Sequence, residues 1–274
     1  MNNPLSQYFR RPGIYLKLPS LGKFYPPGSI DMPENKELPI YPMTAIDEIT
    51  SKTPDALYNG TAVVDIIKSC VPAIKDPWAI PACDLDSILI AIRAASNGSS
   101  MDMTLTCPKC EEENTYGVNL TQLLSTIVPG EYETVYQLGE LKFKFKPISY
   151  REVNQGNLAQ FTISREITQL DKIEDEDDRS KKSGAMMKKL TEMNMEILSM
   201  GIEGVILPSG ETVTNPSHIL EYLQLCDRNA HEGIRKIIIK LREDAAIKPM
   251  KMKCISCNHE YQQTIELNVS DFFG

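Results

Sequence analysis

Hydrophobic positions recur at helical spacing over several stretches of the chain and at strand spacing over a few others. From Asp84 to about Ser96, Leu85, Ile88, Leu89, Ile92 and Ala95 share one helical face, and Gly98 supplies the stop. The same reading predicts a helix opening at Thr44, where a hydroxyl cap precedes Asp47 and Glu48 in the first turn. Further helices are predicted over Thr61–Cys70, near Leu120–Ile127, from Ser149 to about Ile167, over Met186–Met200, and near Pro216–Leu225 and Ala230–Glu243. Strand spacing is clearest in Leu141–Lys146, where phenylalanines alternate with lysines. A period of two places Phe143 and Phe145 on one face and the lysines on the other, an ordinary half-buried strand rather than a nucleic-acid stripe. Short strand-like runs also flank two turns: Met103–Thr106 with Thr115–Val118, and Lys251–Lys253 with Tyr261–Leu267. The expected fold class is α+β, a mainly helical body with short β-hairpins.

Two stretches depart from these periods. Residues 1–42 hold Pro4, Pro12, Pro19, Pro26, Pro27, Pro33, Pro39 and Pro42, so an extended arm with short edge strands such as Gly13–Leu18 is expected. Its aromatics, Tyr8, Phe9, Tyr15, Phe24, Tyr25 and Tyr41, are too many to bury within such a segment; the arm either lies along its own globule or docks on a partner, with partial docking favoured. The second stretch is the acidic and then basic run Asp171–Lys182, read as a mobile, solvated loop over about 171–184. Residues 43–274 are otherwise expected to form one domain. The stripe Met186, Met187, Leu190, Met193, Ile197 and Met200 reads first as core packing and second as an adaptable contact surface.

Composition narrows the function. At 274 residues, with 42% hydrophobic and 24% charged positions, the chain is long enough for a substantial core. Its net charge of -8 repels phosphate backbones, which makes nucleic acid a poor partner. No apolar run reaches the length of a bilayer span, and Met1-Asn2-Asn3-Pro4 lacks the features of a signal peptide, so a cytoplasmic protein is expected. Cys70, Cys83 and Cys226 sit among apolar residues and are read as buried, reduced thiols.

The remaining cysteines form two CxxC turns, Cys107-Pro108-Lys109-Cys110 and Cys254-Ile255-Ser256-Cys257, each between two strand-like runs. That is the form of a zinc knuckle. Two knuckles supply four sulfur ligands, Cys107, Cys110, Cys254 and Cys257, which fill the tetrahedral shell of a structural Zn2+ and make a composite zinc ribbon. His259 lies close enough to substitute, but with the shell already filled it is read as an exposed turn histidine. Such a closed shell leaves no position for a hydrolytic water. No phosphate loop, dinucleotide fingerprint or nucleophile elbow is present, and His218 and His231 are expected on helix surfaces. Asp84 and Asp86 are explained by the helix dipole, and no catalytic or small-molecule site is expected.

Read together, Leu18-Pro19-Ser20-Leu21-Gly22-Lys23-Phe24-Tyr25-Pro26, Tyr41-Pro42-Met43-Thr44-Ala45-Ile46-Asp47-Glu48, the helix from Asp84 to Arg93, and Cys107-Pro108-Lys109-Cys110 stand in a diagnostic order. In this order the chain resembles the baseplate hub assembly proteins of contractile-tailed, T-even-like bacteriophages. The resemblance covers roughly the first 125 residues and then rests on the second knuckle and the Asp271-Phe272-Phe273-Gly274 end. It implies a non-enzymatic structural or assembly component of a tail baseplate hub. Its partners would be other tail baseplate and hub proteins; its location, the host cytoplasm during assembly and, for a hub subunit rather than an assembly chaperone, the virion tail baseplate. The competing reading is a nucleic-acid-binding zinc ribbon, motivated by Lys109, Lys251 and Lys253, although lysines beside a four-thiolate centre also serve to neutralise it. A hydrolase with an unrecognised site ranks third.

Overall fold

Ile14–Lys17 (β1) pairs antiparallel with Glu37–Ile40 (β2), placing Leu16 opposite Leu38 and Ile14 opposite Ile40. In this computed structural model, which describes residues 4–53, 60–128, 131–170 and 175–263, β1 and β2 belong to the first of two compact units. That unit comprises Met1–Pro129 with Ala245–Gly274; the second is Gly130–Asp244. The contacts thus divide residues 43–274 between two units.

The first unit is built on helices behind the β1–β2 hairpin. Ala45–Ser51 (α1) opens with a capping box in which the Thr44 hydroxyl accepts from the Asp47 N–H, and Asp47 accepts from the Thr44 N–H at 2.7 Å. Thr61–Cys70 (α2) and Ala82–Asn97 (α3) supply the core, with Ile66, Ile67, Ile88, Ile90 and Ile92 fully buried beside Leu38 and Ile40. Gly98 ends α3 at a φ of 90°, the left-handed conformation a glycine stop provides. A further hairpin follows. Ser100–Thr106 (β3) pairs with Glu113–Asn119 (β4), which leads into Leu120–Thr126 (α4).

The described part of the proline-rich segment is tied into this unit. Gly13 and Tyr41 donate backbone bonds to Ile40 and Cys70, and Asp31 donates to Ala73. Arg10 reaches the carbonyl and hydroxyl of Ser69 at 2.6 and 2.8 Å, lies 3.5 Å from the buried Asp47 carboxylate and stacks over Tyr41. An arm is what isolated prolines predict. Here N–H groups between the prolines find backbone partners in the first unit, so the described part of the arm lies along its own chain. Tyr8, Phe9 and Tyr15 remain exposed.

In the second unit, Val135–Leu138 (β5), Leu141–Phe145 (β6), Ile202–Ile206 (β7) and Thr212–Val213 (β8) form an antiparallel sheet in that order. Phe143 and Phe145 are fully buried and Lys142 and Lys144 exposed, as the period of two requires. Between β6 and β7 the chain makes two long helices, Tyr150–Leu170 (α5) and Glu176–Met200 (α6), which approach closely enough for Ile197 to stand against Gly156. Met186, Leu190, Met193, Ile197 and Met200 are half-buried, and Met187 is exposed. Pro216–Leu225 (α7) and Arg228–Ala245 (α8) complete the unit.

The charged run is not a loop through residue 184. Residues 171–174 lie outside the described residues, but helix begins at Glu176 and includes Arg179, Lys181 and Lys182. Acids at a helix start suit its dipole, and Glu, Lys and Arg are good helix formers, so the run continues α6. Met250–Lys253 (β9) and Glu260–Gln263 (β10) form the last described hairpin, back in the first unit; the expected strand residues 264–267 and Phe272-Phe273 lie outside the described residues. With eight helices and small antiparallel sheets among the described residues, the fold is α+β.

Candidate metal centre

The β3–β4 and β9–β10 turns bring four thiols together. The sulfurs of Cys107, Cys110, Cys254 and Cys257 all lie within 4.8 Å of one another, with Cys107 to Cys257 at 3.8 Å and Cys110 to Cys254 at 3.6 Å. These separations are far too long for S–S bonds. They match a different object: four sulfurs about 2.3 Å from one ion stand about 3.8 Å apart. Cys107 and Cys254 are fully buried, Cys257 is half-buried and Cys110 exposed.

The two turns repeat one backbone design. In the first, the Cys107 N–H donates to Glu112 O at 3.0 Å and the Glu111 N–H to Cys107 O at 2.9 Å; in the second, Cys254 donates to His259 O at 2.9 Å and Asn258 to Cys254 O at 3.0 Å. Glu111 and Asn258 occupy equivalent positions and both take left-handed φ values, 59° and 57°. Backbone N–H groups also face sulfur, Lys109 toward Cys107 and Cys257 toward Cys254, each at 3.5 Å. Amide donors of this kind favour thiolate over thiol. Chiefly through the Cys257 N–H, the Cys254 thiol is pushed down to about 6. At Cys110 the Glu112 N–H favours the thiolate, but hydrogen bonding to Cys257 and the neighbouring thiols outweighs it and holds the proton on.

A non-glycine residue in the left-handed region costs about 1–2 kcal/mol, less for asparagine. Replacing Glu111 by glycine is therefore expected to raise stability by about 0.5–1 kcal/mol, read as a higher urea midpoint, while Asn258→Gly changes it little.

Around the thiols the exposed charges are mixed, Lys109, Lys251 and Lys253 against Glu111, Glu112, Glu113 and Glu260. His259 stacks on Tyr261 rather than joining the cluster. Elsewhere His218 is exposed on α7 and His231 half-buried on α8. Cys70 and Cys83 are buried, and Cys226 is only half-buried because it caps the end of α7.

A family model described as T4 bacteriophage base plate protein matches residues 17–274. The chain belongs to this family. The match extends well past the 125 or so N-terminal residues whose motifs carried the resemblance, and it spans both cysteine turns and both units. No curated protein and no solved structure matches the chain significantly. As a member of this family, it is a phage baseplate protein with a structural or assembly role. None of its described helices is long and apolar enough to cross a membrane.

Two polar groups that organise the fold are not among the sequence candidates. Asn114 on β4 is buried between the two cysteine turns. Asp84, read as a dipole acid, is fully buried in the first turn of α3, where it accepts from the Ser20 N–H at 2.8 Å and from the Ser20 hydroxyl.

Proposed function

We propose that this chain is a non-enzymatic structural or assembly component of the contractile-tail baseplate hub, and that a structural Zn2+ held by Cys107, Cys110, Cys254 and Cys257 clips its first unit. The observation that carries the reading is the family match from residue 17 to the C-terminus. The tetrahedral spacing of the sulfurs supports the metal. An all-thiolate tetrahedral set suits zinc, and with its four positions filled by sulfur the ion would stabilise rather than catalyse.

Function then rests on contacts with other tail proteins. α1 turns Asp47 inward and leaves Ile46 and Ile49 74% and 70% exposed, and Tyr8 and Phe9 are exposed just before Arg10, which reaches Asp47. Apolar side chains of this size on the surface suit protein contacts better than nucleic acid. The lysines beside the cysteine turns are matched by glutamates, which argues in the same direction.

The test is purification of tail intermediates from infected cells together with mass spectrometry of intact virions. A hub subunit appears in virions at fixed stoichiometry; an assembly chaperone appears only in intermediates. Association with no tail protein in either sample would overturn the proposal.

A further inference from the structure

We infer that Asn114 is the positioning residue of the cysteine centre, locking the second turn onto the first and orienting the Cys254 sulfur. The inference rests on the metal reading above.

At one position the two turns differ in their backbone donors. The residue after the leading cysteine is Pro108 in the first and Ile255 in the second. Proline has no N–H, so the first turn has no donor there to satisfy. Ile255 has one, and it donates to Asn114 Oδ1 at 3.0 Å. The other end of the same amide belongs to the first turn and to the sulfur: Nδ2 donates to Glu112 O at 3.0 Å and lies 3.5 Å from Cys254 Sγ. The orientation of the amide follows from its partners, since an N–H requires the oxygen and a carbonyl requires the nitrogen.

Asn114 is 5% exposed in a hairpin whose residues are otherwise largely solvent-facing. On the same strand, Tyr116 reaches across to Lys253 O at 3.1 Å and to the Tyr261 hydroxyl at 3.3 Å, so β4 holds the second hairpin at two points. Of these two side chains, Asn114 is the one that reaches a sulfur. Outer hydrogen bonds of this type hold a ligand in the direction the ion needs and tune its donor strength.

Asn114→Ala and Asn114→Asp are compared with the wild-type full chain after loading with Co2+ as a spectroscopic stand-in and with Zn2+. The expected result for Asn114→Ala is one tetrahedral, four-sulfur cobalt per chain, a thiolate-to-cobalt band shifted to lower energy by loss of the donor to Cys254, and zinc release to a chelator about 10–100-fold faster. Asn114→Asp keeps the acceptor for Ile255 and removes the donor to sulfur, so it carries the same readouts if the alanine variant fails to fold, and it too is expected to shift the band and release faster. Wild-type release rates and band position in the folded variants would overturn the inference while leaving the metal intact. A wild-type chain that takes up neither Co2+ nor Zn2+ would overturn the metal reading and this inference with it.

Discussion

Cys107→Ser is expected to free a hairpin whose Cys257 lies 150 residues further along the chain. The sulfurs of Cys107, Cys110, Cys254 and Cys257 lie within 4.8 Å of one another, so under the proposed shared Zn2+ losing one ligand from either turn opens the shell for both. Structural zinc sites bind with about 10–16 kcal/mol. Shared among four ligands this is about 3 kcal/mol apiece, so one substitution weakens metal affinity by about a hundred-fold or more. Two-stranded hairpins are marginal alone, and β3–β4 and β9–β10 are each two-stranded. Hydrogen exchange should therefore show loss of protection over both Ser100–Asn119 and Met250–Gln263 when either turn is altered or the protein is treated with a strong chelator. The buried helices α2 and α3 and the sheet of the second unit should keep theirs. Cys107→Ser combined with Cys254→Ser is expected to cost little more than either alone, because residues acting as one unit are not additive. Protection lost only in the hairpin carrying the substitution would mean two independent turns with no shared ion.

Much of this arrangement is legible in the residues, and the failures have physical causes. Thr61–Cys70 and Pro216–Leu225 are read to the residue because each is bounded by strong local signals, such as the proline opening the second. Phe143 and Phe145 follow from their period. The pairing of two distant CxxC turns is legible from equal strand-turn-strand surroundings, although nothing local says that they meet. Where tertiary context decides, the reading stops. Asn114 looks like any polar strand residue until the second turn is placed against it. Asp84 sits where the helix dipole explains an acid, and only the return of Ser20 makes it a buried partner. Residues 10–42 carry the signature of an extended arm because the partners of their N–H groups, at Cys70 and Ala73, lie on distant elements. The division at residues 129–130 falls on Pro129-Gly130, a turn dipeptide that marks a boundary only once the contacts on either side are known, and the division at 244–245 falls at the end of α8, where neither proline nor glycine stands.

Removing the Asp84 carboxylate is the second large effect expected, and it depends on what replaces it. Ser20 gives Asp84 both its backbone N–H and its hydroxyl, and this anchors the Leu18–Pro26 motif, where Leu21, Gly22 and Phe24 all take left-handed φ values, on α3. The Tyr25 hydroxyl is buried close to Asp84, and burial, aided by the Asp84 charge, pushes its phenol above the ordinary range. Asp84→Ala leaves Ser20 unpaired and a small void, at a cost of about 3 kcal/mol. Asp84→Asn keeps an oxygen for the Ser20 N–H and an amide for the hydroxyl, so at pH 7 it should lie within about 1 kcal/mol of wild type. The variants also separate in pH. Burial raises the Asp84 carboxyl from 3.8 to about 6 against the opposing hydrogen bonds from Ser20, so the folded protein holds this proton more tightly than the unfolded chain. The group's contribution is then fully present below about pH 4 and is lost as pH rises through about 6, a change on the order of 3 kcal/mol. Urea midpoints of wild type and Asp84→Asn between pH 4 and 7.5 isolate it, because other titrations cancel in the difference. Wild type should gain on the asparagine variant as pH falls. A gain as pH rises would instead make Asp84 a stabilising carboxylate, and the motif would then be held by charge. Since α3 runs from Asp84 directly to Gly98 and β3, a loosened Asp84 should also speed metal release from the cysteine turn beyond β3, whereas a purely local anchor would leave that rate unchanged.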